Sequence, residues 1–345
     1  MKYMSQTSLL LLFGGESSEH DVSLLSARNV YGAIDKQKYH TILCYIDRHG
    51  KWWYLDEFPK DADVNTDDCD QLLPVLGNGE LVKKDSSESL GVDVIFPVLH
   101  GRNGEDGTVQ GLAQLLHVPI VGCDVTASGI AMNKLACKQI VHENGIDVIP
   151  YKSHYDYQDT PSFAELAREL GETLFVKPAR AGSSVGVSKV RNQEELDAAL
   201  HEAHRHDQIA LIEKAITGQE LEVAVLGTPP HHKVSGVGEI IPGEEFYTYE
   251  DKYAADSTAS VSTEANISKK DQERVREYAE RIYQILDCKG LSRIDFILSQ
   301  DGTLYLMEVN TLPGFTSISM YPKLWQRQGL EYAELVDELV QDALA

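Results

Sequence analysis

The sequence lacks paired cysteines and histidine-rich clusters, which argues against two common kinds of site. Its five cysteines stand singly, at positions 44, 69, 123, 137 and 288, with no CxxC pair among them. A disulfide framework or a structural zinc site would need closely spaced pairs, and an odd number of cysteines argues against complete pairing. We therefore expect reduced thiols and a cytoplasmic protein.

Basic residues and long apolar runs are also scarce. The chain has 31 Lys and Arg against 54 Asp and Glu, which gives a formal net charge of −23. We expect no nucleic-acid or membrane partner, because nucleic acids and anionic membranes attract basic surfaces. The apolar run at residues 9–13 is too short for a signal peptide or a membrane span. A phosphate ligand would need local lysines or metal ions that overcome the repulsion from the protein's net negative charge.

The rest of the composition is that of a globular protein of two or three domains, with 345 residues, 42% of them hydrophobic. Alternating strand and helix patterns predict an open parallel α/β domain at 1–123, its first helix capped by Ser17 or Ser18. A smaller antiparallel α+β unit is predicted at 124–216, starting with one helix over 124–144. A third region follows at 217–345. Within it, residues 239–262 are polar and aperiodic, which indicates either disorder or a functional loop.

The most informative segment is 291–310, LSRIDFILSQDGTLYLMEVN. Two strand-like runs flank Asp-Gly, a strong hairpin signal. A two-residue loop would place Asp295 opposite Glu308 and Arg293 opposite Asn310, all on one face. Facing carboxylates repel each other unless a cation lies between them, and oxygen ligands suit Mg²⁺. The alternative is a solvated acidic face on an edge hairpin.

A glycine- and serine-rich turn at 182–186 joins two predicted strands, the first of which ends at Lys177. Backbone N–H groups and the hydroxyls of Ser183 and Ser184 could cradle a phosphate there. The Walker A pattern is absent, and such a turn taken alone is more often a plain hairpin.

Four further residues are weaker candidates. Glu213 and Lys214 end an apolar strand and could serve a flat ligand such as adenine, or simply form an exposed strand end. Glu19 follows a Gly-Gly turn at a helix start, where it could bind an amine or cap the first turn. His100 ends another strand, where a satisfied loop histidine is the commoner case.

Five segments, in this order, resemble the D-alanine–D-alanine ligase family of the ATP-grasp superfamily. They read GGESSEHDVS, PVLHGRNGEDGTVQG, KPARAGSSVGVSKV, SRIDF and MEVNTLPGFTSISMYP, and they run from residue 14 to residue 322. The resemblance implies an ATP-grasp fold behind an N-terminal α/β domain. It also implies ATP-dependent formation of D-alanyl-D-alanine through an acyl phosphate, for peptidoglycan synthesis.

The resemblance further implies ATP as co-substrate, two D-alanine molecules, two Mg²⁺ ions with Mn²⁺ as an alternative, and a homodimer. Residues 239–262 would form a lid. The ATP contacts would be Lys134, Lys177, Ser184, Glu213, Lys214, Ile216, Glu220 and Lys252. The metal ligands would be Asp295, Glu308 and Asn310. The catalytic residues would be Glu19, Ser183, Tyr253, Arg293 and Gly314. The substrate contacts would be Glu19, His100 and Ser319.

Three rival functions remain open at this point. A D-alanine–D-lactate or D-alanine–D-serine ligase would be built in the same way, and Tyr253 in the lid is the residue that separates some of these activities. A non-catalytic ATP-binding protein would not need Lys177, Arg293 and Asp295 together. A metal-dependent hydrolase using the Asp295/Glu308 pair would be expected to carry histidine ligands, and no such cluster is present.

Overall fold

The computed structural model describes residues 6–60, 64–241 and 260–345. The N-terminal part is built around the first apolar run, which forms a strand whose side chains from Leu9 to Phe13 are fully buried. Burial of each large apolar side chain contributes ~1.5–3 kcal/mol, so the run fixes this strand at the centre of its sheet. The elements of this part are β1 (Thr7–Gly14), α1 (His20–Ala33), β2 (Tyr39–Ile46), β3 (Trp52–Leu55), β4 (Leu72–Val75), β5 (Glu80–Lys83), β6 (Ser89–Gly91), β7 (Val94–Val98) and α2 (Thr108–Leu116).

The first sheet has the strand order β3-β2-β1-β7. Strand β1 pairs in parallel with β2 and β7, and β3 lies antiparallel at one edge. This confirms the predicted α/β pattern. The short antiparallel sheet β4-β5-β6 was not anticipated. The predicted Ser17 or Ser18 cap is wrong: Glu19 is the N-cap of α1, and the hydroxyl of Ser17 instead donates to the carbonyl oxygen of His100 at 2.6 Å.

Residues 124–144 form two helices rather than the predicted single helix. They are α3 (Val125–Met132) and α4 (Lys134–Glu143). Asn133 separates them with an extended backbone (ψ 91°), and its side chain caps α4 by accepting from the amide of Ala136 at 3.2 Å. Asn favours such caps over helix interiors because its side chain competes for backbone hydrogen bonds. The break places Lys134 in the first turn of α4.

The second sheet is antiparallel, as expected, with the order β10-β9-β11-β8. Helices α5 and α6 contribute Leu166, Leu196 and Leu200 to the core beneath it. Its elements are β8 (Tyr151–Tyr155), α5 (Phe163–Leu170), β9 (Leu174–Pro178), β10 (Ser188–Val190), α6 (Gln193–His204) and β11 (Ile209–Lys214).

The third sheet has the order β14-β13-β12-β15-β16. Its elements are β12 (Gly218–Leu226), β13 (Lys233–Ile241), β14 (Ser260–Ser262), α7 (Lys269–Ile285), β15 (Leu291–Ser299), β16 (Leu304–Asn310), α8 (Met320–Arg327) and α9 (Tyr332–Leu344). The two ends of the predicted loop at 239–262 therefore belong to strands, and residues 242–259 lie outside the described part. No helix among the described residues is long and apolar enough to span a bilayer.

The β15–β16 hairpin has the predicted pairing at its functional end but not at its loop. Asp295 faces Glu308 and Arg293 faces Asn310, as expected. The loop, however, contains three residues, because the amide of Ser299 bonds the carbonyl of Thr303 at 2.9 Å and Gly302 takes a positive φ of 85°. The predicted two-residue loop is therefore wrong. A bulge at Met307 shifts the register by one residue and restores the predicted pairs.

Candidate active site

Two adjoining cavities of about 400 and 550 Å³ lie between the second and third sheets and the N-terminal part. Lys134, Ser183, Glu220 and Glu308 line both of them. The smaller cavity also reaches Glu19 of the N-terminal part. A molecule in one cavity would therefore lie next to a molecule in the other, which is the arrangement that a transfer between two substrates requires.

Three carboxylates stand side by side across the third sheet at the smaller cavity. Glu222 of β12 faces Asp295 of β15, which faces Glu308 of β16. Arg293 binds Asp295 through two bonds, Nε–Oδ1 at 2.8 Å and Nη2–Oδ2 at 2.6 Å, and its Nε lies 3.4 Å from Glu222. Burial lowers the pKa of Arg293, but Asp295 and Glu222 outweigh it and raise that pKa well above its usual value. Arg293 is thus a fixed cation.

The smaller cavity carries more acid than base. Its lining includes six Asp and Glu side chains but only three Lys and Arg side chains, Lys134, Arg293 and Lys323. Like charges this close are unfavourable without cations between them. A carboxylate such as Asp295 offers about four lone-pair sites, and the amide of Asn310 adds an oxygen. The donors Asp295, Glu308 and Asn310 therefore fit a hard divalent ion. Within the described ranges there is no group of three His, Cys, Asp or Glu side chains placed to hold a metal. An ion held by these oxygens would fill the rest of its shell with water or phosphate oxygens.

The N-terminal wall contributes three titratable groups. Glu19 is 7% exposed at the N-terminus of α1, and the ring of His100 lies 3.2 Å from the hydroxyl of Ser26. Burial lowers the pKa of His100, against the opposing influence of Glu19, so the neutral ring is favoured. Burial also raises the pKa of Glu105 well above its usual range, and Glu19 and Glu308 raise it further.

The glycine–serine turn lies where both cavities meet. Ser183 and Ser184 adopt left-handed backbone angles (φ 51° and 59°), which non-glycine residues rarely take. A turn of this kind can present successive backbone N–H groups to an anion. Lys134 donates to the carbonyl oxygen of Ala181 at 2.7 Å and lies 3.9 Å from Glu308. The first turn of α4 therefore touches both the loop and the acidic hairpin.

A buried ion cluster lies at the wall of the larger cavity. Glu213 lies 2.7 Å from Lys177 and 2.9 Å from Lys138. Burial raises the pKa of Glu213, but the two lysines outweigh it and hold that pKa below its usual value. Lys214 and Ile216 line the same cavity at the end of β11.

Gly314 and Ser319 close the far side of the smaller cavity. The hydroxyl of Ser319 accepts from the amide of Thr316 at 3.0 Å. A side chain at position 314 would lie 2.8 Å from that hydroxyl, so glycine is what leaves space there. The structure thus brings together the predicted residues that it describes; Lys252 and Tyr253 lie outside the described ranges.

Three residues of the site were missed. Glu105 lies inside the HGRNGEDG segment, where only His100 was selected. Lys138 follows Lys134 by four residues, a spacing that puts both on one helix face. Glu222 follows Glu220 by two, so alternation along β12 placed it on the same face. Each of these signals was available in the sequence.

A parallel α/β domain, two antiparallel sheets around a lysine- and carboxylate-lined double cavity, and a serine–glycine loop define an ATP-grasp enzyme. The family models described as D-ala D-ala ligase N-terminus and D-ala D-ala ligase C-terminus match residues 8–123 and 140–341. The chain belongs to the D-alanine–D-alanine ligase family, whose members are ATP-dependent ligases.

Relatives and solved structures match over nearly the whole chain. D-alanine–D-alanine ligase A of Chromobacterium violaceum is 40% identical over 99% of this chain and 96% of its own length. The D-alanine–D-alanine ligase of Caldicellulosiruptor bescii is 41% identical over the same shares. A D-Ala:D-Ser ligase from Enterococcus faecalis has a TM-score of 0.88 at 34% identity, covering 98% of this chain and 100% of that one. The structure of the D-alanine–D-alanine ligase from Coxiella burnetii has a TM-score of 0.88 at 30% identity, covering 99% of this chain and 94% of that one.

Proposed function

We propose that this protein joins two D-alanine molecules at the expense of ATP. The observation that carries the proposal is the shared wall of the two cavities: Lys134, Ser183 and Glu308 line both. The larger cavity has lysines suited to a nucleotide's phosphates. The smaller one has Glu19 for an ammonium group and Arg293 for a developing oxyanion. Relatives about 40% identical are D-alanine–D-alanine ligases, which supports the same assignment.

The first step is phosphorylation of a carboxylate. The carboxylate of the first D-alanine attacks the γ-phosphorus of ATP, the bond to the bridging oxygen breaks, and ADP leaves, giving an acyl phosphate. Lys134 and Lys177 neutralise phosphate charge, the amides near Ser183 and Ser184 hold the transferred group, and Glu19 fixes the ammonium. Phosphoryl transfer needs such positioning and charge neutralisation more than covalent help. Asp295, Glu308 and Asn310 would hold Mg²⁺ ions, which supply further charge neutralisation when bound.

The second step forms the peptide bond. The second D-alanine, having lost a proton from its ammonium, attacks the acyl carbon, and the carbonyl oxygen becomes an oxyanion beside Arg293 and the amide of Gly314. Collapse of this tetrahedral intermediate releases phosphate. Preorganised donors of this kind commonly account for ~10²–10³ in rate each. Ser319 orients the acceptor, and we propose that the segment between β13 and β14, which includes Lys252 and Tyr253, serves as a lid that excludes water.

The wider assignments belong to the same proposal. We divide the chain into 1–123, 124–216 and 217–345, which places the active site where the three parts meet. Product formed in the cytoplasm would enter peptidoglycan synthesis, and the protein would act as a homodimer.

The test is phosphate release from ATP with D-alanine, with and without Mg²⁺, together with mass detection of the product. Phosphate and D-alanyl-D-alanine should appear in equal amounts and only with all three components. D-serine and D-lactate are included as competing acceptors, because a structural neighbour is a D-Ala:D-Ser ligase. Phosphate release without dipeptide would contradict the proposal in favour of a hydrolase, and a preference for another acceptor would change its second substrate.

A further inference from the structure

A lysine that the proposed mechanism does not use lies directly behind the nucleotide cavity. Lys138 is 1% exposed and does not line the cavity, whereas Glu213 and Lys177 do. The ammonium of Lys138 lies 2.9 Å from Oε1 of Glu213, and that of Lys177 lies 2.7 Å from Oε2. One buried carboxylate therefore has two cations, one on the cavity side and one on the core side.

The ammonium of Lys138 lies 2.9 Å from Glu213, and no other group accepts a hydrogen bond from it within the described part of the chain. Burying an ammonium is costly unless it is needed to balance a charge. A single lysine would already neutralise Glu213, so the second cation calls for an explanation. The position of Lys177 explains the second cation, because phosphate oxygens in the cavity would compete with Glu213 for the ammonium of Lys177.

A buried carboxylate that loses its only cation is strongly destabilised and takes up a proton instead. With two partners, Glu213 retains one when Lys177 moves. The other titratable groups near Glu213 are Tyr151 on β8, which faces it directly, and Lys134 on α4. Tyr151 brings no positive charge, and Lys134 is already engaged by Ala181 and Glu308.

We infer that Lys138 is a positioning residue that keeps Glu213 ionised and in place while Lys177 transfers from Glu213 to the phosphates of bound nucleotide. This inference rests on the proposed nucleotide role of Lys177. It gives Lys138 no contact with ATP: the residue acts by making Lys177 available. It predicts that nucleotide binding to the wild-type protein involves no proton uptake at Glu213.

The experiment is calorimetric titration of the full-length protein with Mg²⁺-ATP, without D-alanine, in two buffers of different ionisation enthalpy. Lys138→Met should take up close to one proton more per ATP bound than the wild type, because Glu213 loses both cations. Its ATP Kd should rise by ~10–100-fold. That Kd should fall again as pH is lowered, because the bound form holds the extra proton. Adenosine, which has no phosphates to draw Lys177 away, should cause no proton uptake in either protein.

Two further variants make the test specific. Lys138→Gln keeps a polar side chain but no charge, so it should behave like Lys138→Met and serves in its place if that variant fails to fold. Lys38→Met removes a lysine from an exposed pair with Asp337 and should bind ATP as the wild type does.

The outcomes separate the two claims. If the wild type binds ATP and the Lys138 variants bind it without additional proton uptake, this inference is overturned while the proposed function stands. If the wild type binds no ATP, the proposed function is overturned, and this inference with it. Additional uptake with ATP but not with adenosine supports this inference and the nucleotide role of Lys177 on which it rests.

Discussion

Arg293 and Asp295 lie two residues apart on one strand face and share a two-bonded ion pair, with Nη2 only 2.6 Å from Oδ2. Arg293 also lies 3.4 Å from Glu222. The guanidinium of Arg293 thus pairs with two buried carboxylates, and it is also the group proposed to stabilise the oxyanion in catalysis.

Arg293→Ala should therefore lose both activity and stability. Loss of the oxyanion donor should lower kcat by ~10²–10³. Removing the cation also leaves Asp295 and Glu222 uncompensated, a change that costs about 3–5 kcal/mol for a buried pair. Steady-state kinetics and thermal unfolding measure the two effects. Arg293→Lys is the matched control: it keeps the charge, should recover most of the stability and should remain slow. Near-normal turnover of a folded Arg293→Ala protein would rule out the oxyanion role.

Glu308→Gln tests the proposed metal site. The substitution keeps the size of the side chain but removes the charge that faces Asp295, so Mg²⁺ should bind more weakly. Turnover at low Mg²⁺ should fall by at least tenfold, and the metal-free protein should become slightly more stable because the repulsion is relieved. Glu277→Gln, on an exposed face of α7, is the control and should change neither. Unchanged turnover of Glu308→Gln at limiting Mg²⁺ would remove Glu308 from the metal site.

Glu105 should make the stability of the metal-free protein depend on pH. Its pKa in the folded protein is raised, first by burial and then by Glu19 and Glu308. For an acid whose folded-state pKa is raised, the stabilising effect is complete below the unfolded-state pKa and is lost as pH rises through the folded-state value. The amide of Glu105→Gln does not titrate, so the variant should not lose stability in this way as pH rises. At a pH near or above the folded-state pKa of Glu105, the variant should therefore be more stable than the wild type. The gain should be ~1.4 kcal/mol for each tenfold difference between the acid dissociation constants of Glu105 in the folded and unfolded protein.

Chemical unfolding in the presence of a chelator, repeated across pH, measures this difference. Glu273→Gln, an exposed carboxylate on α7, is the control. Parallel pH curves for the wild type and Glu105→Gln would show that the carboxyl of Glu105 does not titrate in this range.

Tyr253→Phe tests the choice of the second substrate. The change keeps the ring but deletes the hydroxyl, which we propose closes the lid over the attacking amine. The ammonium of D-alanine must lose a proton before its nitrogen can attack, whereas the hydroxyl of D-lactate is already neutral. The acceptor preference of the variant should therefore shift toward D-lactate, most clearly at acidic pH. A competition assay that scores dipeptide against depsipeptide across pH measures the shift. An unchanged product ratio at every pH would move the specificity to other residues.

The sequence by itself indicated most of the strands and helices and the residues of the proposed site. Short apolar runs bounded by turn residues indicated β1 and β7, and period-two alternation placed Arg293, Asp295, Glu308 and Asn310 on one face. The ordered motifs identified the family. These are properties of short segments and of their order, which local physics and family resemblance can specify.

Only the tertiary structure decided which distant groups meet. The break at Asn133 and the bulge at Met307 are local irregularities that packing stabilises, and no periodic pattern predicts them. The pairing of Lys138 with Lys177 through Glu213 joins a helix to two strands, so it depends on how those elements pack. The raised pKa of Glu105 likewise arises from burial beside Glu19 and Glu308, which are far away in the chain. Burial and charge proximity are set by the whole fold, and for that reason these long-range contacts and pKa shifts could not be predicted from the sequence.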